Sequence, residues 1–150
     1  MHNLQTLPDF SLINHEGKLV NIHEIKGQDK LIIFFYPKNE SRICTAESCR
    51  FRDAYETFLS HGIKVVGINK ALPEDLSKFR KNHRLPFPLL SDPDFHIHKR
   101  FGIMKFWLLS GRETFLYGTD NHLEYHFNHL LNGEKHVENL LKKIAETKPE

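Results

Sequence analysis

Cys44 and Cys49 are the two cysteines of this 150-residue chain, and they stand five positions apart. Thiols at that distance suit metal ligation or redox cycling, while a cysteine serving only as a small buried hydrophobe is the chemically silent alternative. Their neighbourhood favours chemistry. Leu31-Ile32-Ile33-Phe34-Phe35-Tyr36 is continuously apolar, the pattern of a strand covered on both faces, and Pro37 ends it. After a polar loop, the spacing predicts a helix from Arg42 or Ile43 to about Ser60, with Phe51, Ala54, Tyr55 and Phe58 forming a core-facing stripe. Cys44 thus falls where a buried strand has ended and a helix begins.

That junction, at the carboxyl end of a strand in an α/β sheet, is where ligands collect. A helix N-terminus carries partial positive charge and unpaired N–H groups, which stabilise a thiolate. An ordinary thiol, with a pKa of about 8.5, is mostly protonated at neutral pH, so this placement draws it toward the reactive anion. Arg42, two residues earlier, adds to the effect. Cys49 raises a mechanical question. In an intact helix, residues i and i+5 have Cα atoms roughly 8–9 Å apart, beyond the ~7 Å reach of a disulfide. The two thiols bridge only if the first turns of the helix unwind.

The elements that position this pair follow from the same reading. Phe10 to Ile13 and Leu19 to Ile22 predict a hairpin around Asn14-His15-Glu16-Gly17. Ile63 to Ile68 is a second buried strand, and Pro73-Glu74-Asp75 opens a helix that faces Leu76 and Phe79 inward. Pro88-Leu89-Leu90 is a short strand, and Ser91-Asp92-Pro93-Asp94 leads into a helix ending near Gly102. Thr114 to Tyr117 and Leu123 to Phe127 form a late hairpin, and a last helix spans about Glu134 to Glu146. This order predicts a single α/β domain over residues 1–150, with a mixed central sheet flanked by helices.

Composition narrows the functions. Hydrophobic residues make up 39% and charged residues 27%, as in ordinary soluble domains, and the net charge is +2. No basic run interleaves with aromatics, so nucleic acid is not an expected partner. No apolar stretch approaches the ~20 residues of a membrane span, and Met1-His2-Asn3-Leu4-Gln5 lacks the build of a secretory signal. The expected compartment is the cytoplasm, where thiols stay reduced.

The segment from Phe35-Tyr36-Pro37 through Ser41-Arg42-Ile43-Cys44 to Cys49-Arg50-Phe51-Arg52-Asp53 resembles the active site of peroxiredoxins, in the bacterioferritin comigratory protein or peroxiredoxin Q branch. The resemblance continues through Phe87-Pro88-Leu89-Leu90-Ser91-Asp92, Phe101-Gly102 and Gly111-Arg112-Glu113-Thr114-Phe115-Leu116, covering most of the chain. It implies a thioredoxin-like fold and a peroxidase that uses no cofactor. Cys44 would attack the peroxide and become a sulfenic acid, and Cys49 would resolve it as an intrachain disulfide. Pro37 would shield the thiolate, the Ser41 hydroxyl would bond peroxide and sulfur, and Arg112 would orient the peroxide. The implied partners are hydrogen peroxide or organic hydroperoxides and a dithiol reductant, thioredoxin or glutaredoxin, acting on a monomer. Two departures stand out: Arg42-Ile43 replaces the usual Pro-Gly, and Asn69 follows the second buried strand where the family tends to carry serine.

Other readings weigh less. Taken alone, Ser41 is a helix N-cap and Arg112 a surface ion-pair partner. Glu47, three beyond Cys44 and in the first turn of the predicted helix, suits the helix dipole better than acid–base work. His122 and His126 fall in an alternating strand on its solvated side, and His96 and His98 lack a carboxylate pair with metal-ligand spacing. Cys44, Cys49 and a histidine match no standard zinc pattern. A thioredoxin-like disulfide reductase would carry Cys-x-x-Cys, whereas four residues intervene here. A redox-controlled binding module or holdase, exposing apolar surface when the helix unwinds, is the non-catalytic alternative.

Overall fold

A computed structural model describes residues 4–36, 42–103, 113–128 and 133–146. The apolar run before Pro37 forms β3 (Lys30–Phe35), and Leu31 through Tyr36 are all fully buried. Around it come β1 (Ser11–Asn14), β2 (Leu19–Asn21), α1 (Ile22–Lys26), α2 (Arg42–Ser60), β4 (Ile63–Asn69), α3 (Pro73–Asn82) and β5 (Leu89–Ser91). The chain continues with α4 (His96–Arg100), β6 (Glu113–Tyr117), β7 (Leu123–Asn128) and α5 (Gly133–Glu146). The strands make one seven-stranded sheet in the order β2-β1-β5-β4-β3-β6-β7. β3, β4 and β5 run parallel, while β1, β2, β6 and β7 join by antiparallel pairing. The mixed sheet with flanking helices is the architecture the pattern implied.

The continuous hydrophobicity of β3 has a direct cause: it is covered on both faces. Ile32 and Phe34 point into a cluster with Phe51, Ala54 and Phe58 of α2, Leu76 and Phe79 of α3, and Val137, Leu140 and Ile144 of α5. Leu31, Ile33 and Phe35 point the other way, onto Ile22, Ile97 and Phe101. Gly67 makes the first layer fit. It pairs with Phe34 on one side and Leu89 on the other, and a Cβ there would stand 2.8 Å from the Phe34 ring and 2.9 Å from a Leu89 methyl. Its missing side chain is the space that the Phe34 ring fills, stacked on Phe51 at 4.4 Å.

Two local expectations shift. Ile22 ends no strand; it opens α1, because the Asn21 side chain accepts the His23 amide as an N-cap and turns the chain into a short helix. The helix after Asp94 is shorter than the pattern suggested, because Phe95 takes a left-handed conformation with φ 64° and delays the start to His96.

Candidate active site

The carboxyl ends of β3, β4 and β5 define one edge of the sheet, and α2 begins there. The backbone of α2 places Cys44 in the first turn, where amides lack intrahelical acceptors. Cys49 follows five residues later in the same uninterrupted helix, half-buried. Helical geometry therefore keeps the two Cα atoms about 8–9 Å apart in this conformation, and bridging requires the first turns to open. Glu47 falls in the second turn of α2, beyond the first turn where the helix dipole acts most strongly.

Pro37, Ser41 and Arg112 lie outside the described residues. Their described chain neighbours converge on the same edge: the Tyr36 amide closes the β3–β4 ladder on the Ile68 carbonyl, and Glu113 opens β6 directly opposite Phe35.

Three features escaped the sequence reading. Arg52, one turn beyond Cys49, donates from Nη1 to the His83 carbonyl at 2.7 Å and from Nε to Asp53 at 3.0 Å. The Asp53 hydrogen bond, with a smaller contribution from the charge of Cys49, holds the guanidinium above its ordinary pKa. A fixed cation thus lies within electrostatic reach of Cys49. The i, i+3 spacing of Cys49 and Arg52 on a predicted helix was the available signal.

The second is a buried carboxylate–imidazole pair just past β5. Asp92 is fully buried, and its Oδ2 accepts from His98 Nδ1 at 2.6 Å and from the His98 amide at 2.9 Å. His96 Nδ1 lies 3.2 Å from the other oxygen, but the alignment makes no hydrogen bond there. Burial alone would raise the Asp92 pKa; the His98 ring and amide bonds, with the His98 charge, outweigh it and hold the acid below its ordinary value. The His98 ring is clamped between Phe95, stacked at 4.1 Å, and Phe35, edge-on at 5.0 Å. The third is Glu113, whose Oε1 lies 2.6 Å from His126 Nε2, with the His126 ring stacked on Phe115 at 4.3 Å. Among the described residues, no group of three or more histidine, cysteine or acidic side chains is arranged to hold a metal ion.

Residues 4–126 match the AhpC/TSA family. The chain is 36% identical to a chloroplastic peroxiredoxin Q of Sedum lineare over 145 residues, covering 95% of this chain and 77% of that protein. A chloroplastic peroxiredoxin Q of Populus jackii is also 36% identical over 140 residues, covering 92% of this chain and 65% of that protein. This chain belongs to the AhpC/TSA family, in its peroxiredoxin Q branch. The crystal structure of peroxidoxin BcpB from Mycobacterium tuberculosis superposes with a TM-score of 0.88 at 25% identity, covering 99% of each chain. A PrxQ mutant of Xylella fastidiosa shares the fold, with a TM-score of 0.81 at 22% identity over 97% of this chain and 98% of that one. The peroxiredoxin fold accounts for the placement of Cys44: a helix start laid against the carboxyl edge of a parallel strand pair.

Proposed function

We propose that this peroxiredoxin is a thiol-dependent peroxidase with Cys44 as its nucleophile and Cys49 as its resolving thiol. One observation carries the reading: both cysteines sit at the amino end of one helix, Cys44 in the first turn of α2 at the carboxyl edge of β3. The Cys44 thiolate attacks the terminal oxygen of a hydroperoxide, the O–O bond breaks, and the departing alkoxide or hydroxide takes up a proton. Cys44 becomes a sulfenic acid. The Cys49 thiol then attacks that sulfur, forming the S–S bond and releasing water. A dithiol protein such as thioredoxin, or glutaredoxin, returns two electrons by thiol–disulfide exchange. Pro37, Ser41 and Arg112 complete the scheme as shield, hydrogen-bond donor and anion-stabilising cation, roles that rest on the motif they share with the family. Because both thiols belong to one chain, the cycle needs a single protomer, in a compartment reducing enough to regenerate it.

A peroxide-dependent assay with thioredoxin and its reductase tests this. Cys44→Ser should abolish turnover, by ~10³-fold or more. Cys49→Ser should stop the cycle after one event and trap a sulfenic acid at Cys44, read by mass. A wild-type Cys44 left unoxidised by stoichiometric peroxide overturns the peroxidase assignment, and a wild-type disulfide found between chains overturns the intrachain scheme.

A further inference from the structure

We infer that Asn69 is a positioning residue for the chain segment that leads from β3 to the nucleophile, an inference that rests on Cys44 being that nucleophile. The register Phe35↔Ile68 sets Tyr36 opposite Asn69 at the end of the β3–β4 pair. Tyr36 donates its amide to the Ile68 carbonyl at 3.3 Å, the last rung of the ladder. In a continuing parallel ladder, the Tyr36 carbonyl would accept from the backbone amide two residues past Ile68. Here a side chain takes that role. Asn69 Nδ2 donates to the Tyr36 carbonyl at 2.9 Å, in a fully buried setting.

The same carboxamide is held at its other end. Asn69 Oδ1 accepts the Ala71 amide at 2.7 Å, a turn in which an asparagine side chain bonds the backbone two residues on. One end faces a donor and the other an acceptor, so the orientation of the amide is fixed by its partners. The turn is itself braced: Ser91 Oγ donates to the Ala71 carbonyl at 2.6 Å, and the Asp92 amide donates to the Asn69 carbonyl at 2.8 Å. Asn69 is 1% exposed, so both of its hydrogen bonds are made away from bulk solvent. From Asp92 through Asn69 to Tyr36, the ends of all three parallel strands are tied by hydrogen bonds.

The bonded carbonyl belongs to the peptide that Tyr36 shares with Pro37. A peptide unit is planar, and a residue preceding proline has a restricted backbone. Fixing that one oxygen therefore fixes the direction in which the chain leaves β3 toward Cys44. Serine at position 69, the residue the family resemblance leads one to expect, carries a single oxygen in place of the two-ended amide. The role inferred for Asn69 is positional: it acts through the Tyr36 peptide that it fixes.

The test separates the two chemical steps in the full-length protein. In a Cys49→Ser background, the rate of Cys44 oxidation by excess hydrogen peroxide is followed by quenched-flow mass measurement; disulfide closure is followed with both cysteines present. Asn69→Ala should slow Cys44 oxidation by ~10- to 100-fold through misplacement of the loop. It should leave disulfide closure within about twofold of wild type, because that step depends on opening α2. Asn69→Leu keeps the side-chain volume but loses both hydrogen bonds, so it should slow the same step; because it opens no cavity, it also serves if the alanine variant fails to fold. Ser91→Ala removes a brace yet leaves the Tyr36 carbonyl bonded, and should oxidise at nearly the wild-type rate. Equal slowing of both steps, or equal slowing in Ser91→Ala, overturns the inference. Oxidation of Asn69→Ala as fast as wild type overturns it too, with the peroxidase assignment intact; a wild-type Cys44 inert to peroxide overturns that assignment instead.

Discussion

The two halves of α2 are built for opposite ends. From Arg50 onward the helix is anchored: Phe51 and Phe58 are fully buried and Ala54 nearly so, all within one core layer. Arg50 Nε meets Glu138 of α5 at 2.6 Å, and Arg52 reaches the His83 carbonyl beyond α3. Before Arg50 lie the two cysteines, whose bridging demands that helical turns be given up. Among the described side chains of that first half, Ala46 and Cys49 are half-buried and Ser48 is buried with a hydroxyl that finds no hydrogen-bond partner. A buried unbonded hydroxyl costs stability, on the order of 1–3 kcal/mol. The difference teaches where the helix is held: the Phe51 layer fixes its second half against the core.

Removing the anchor should break the contrast most severely. Phe51→Ala deletes a ring stacked on Phe34 and should cost about 3–5 kcal/mol in denaturant unfolding. A loss below about 1 kcal/mol would mean that this half of α2 is not anchored by its apolar stripe.

Acid offers a milder test, acting away from α2. The folded-state pKa of Asp92 lies below its unfolded value, so its contribution is fully present above about pH 4 and is lost as pH falls through the folded pKa. Stability measured from pH 6 downward should decline with a contribution that Asp92→Asn abolishes. Protection of the 42–49 amides relative to the 50–60 amides should not change in that variant. A shift confined to α2 would contradict the separation of the two regions.

The smallest effect should come from the surface pin. Glu138 is half exposed, so Glu138→Gln should cost at most about 1 kcal/mol. Its value lies in locating the boundary: Arg50 directly follows Cys49, so releasing it should quicken disulfide closure modestly, and slower closure would argue against Arg50 as the limit of unwinding.

Much of this was legible in the residues. Continuous apolarity marked β3 and β4, because both faces of these strands are covered, and helical periodicity marked α2 from its start to Ser60. The cysteine pair and its geometric constraint were readable from spacing alone. What stayed hidden depended on pairings across the sheet. Asn69 became meaningful once the register set it opposite Tyr36, and Asp92 once the turn at Phe95 folded His98 back onto it. Ile22 looked like strand because its apolar character fits either element; the Asn21 cap decided for helix. Sequence patterns report burial and period, whereas these contacts are set by chain reversal and register.

Hydrogen exchange along α2, compared between the reduced protein and the product of stoichiometric peroxide, tests the central claim most directly. The account predicts an intrachain Cys44–Cys49 disulfide, faster exchange across residues 42–49 and unchanged protection from Phe51 to Ser60. A disulfide formed with the first turns still protected, or peroxide treatment that yields no such bond, would contradict it.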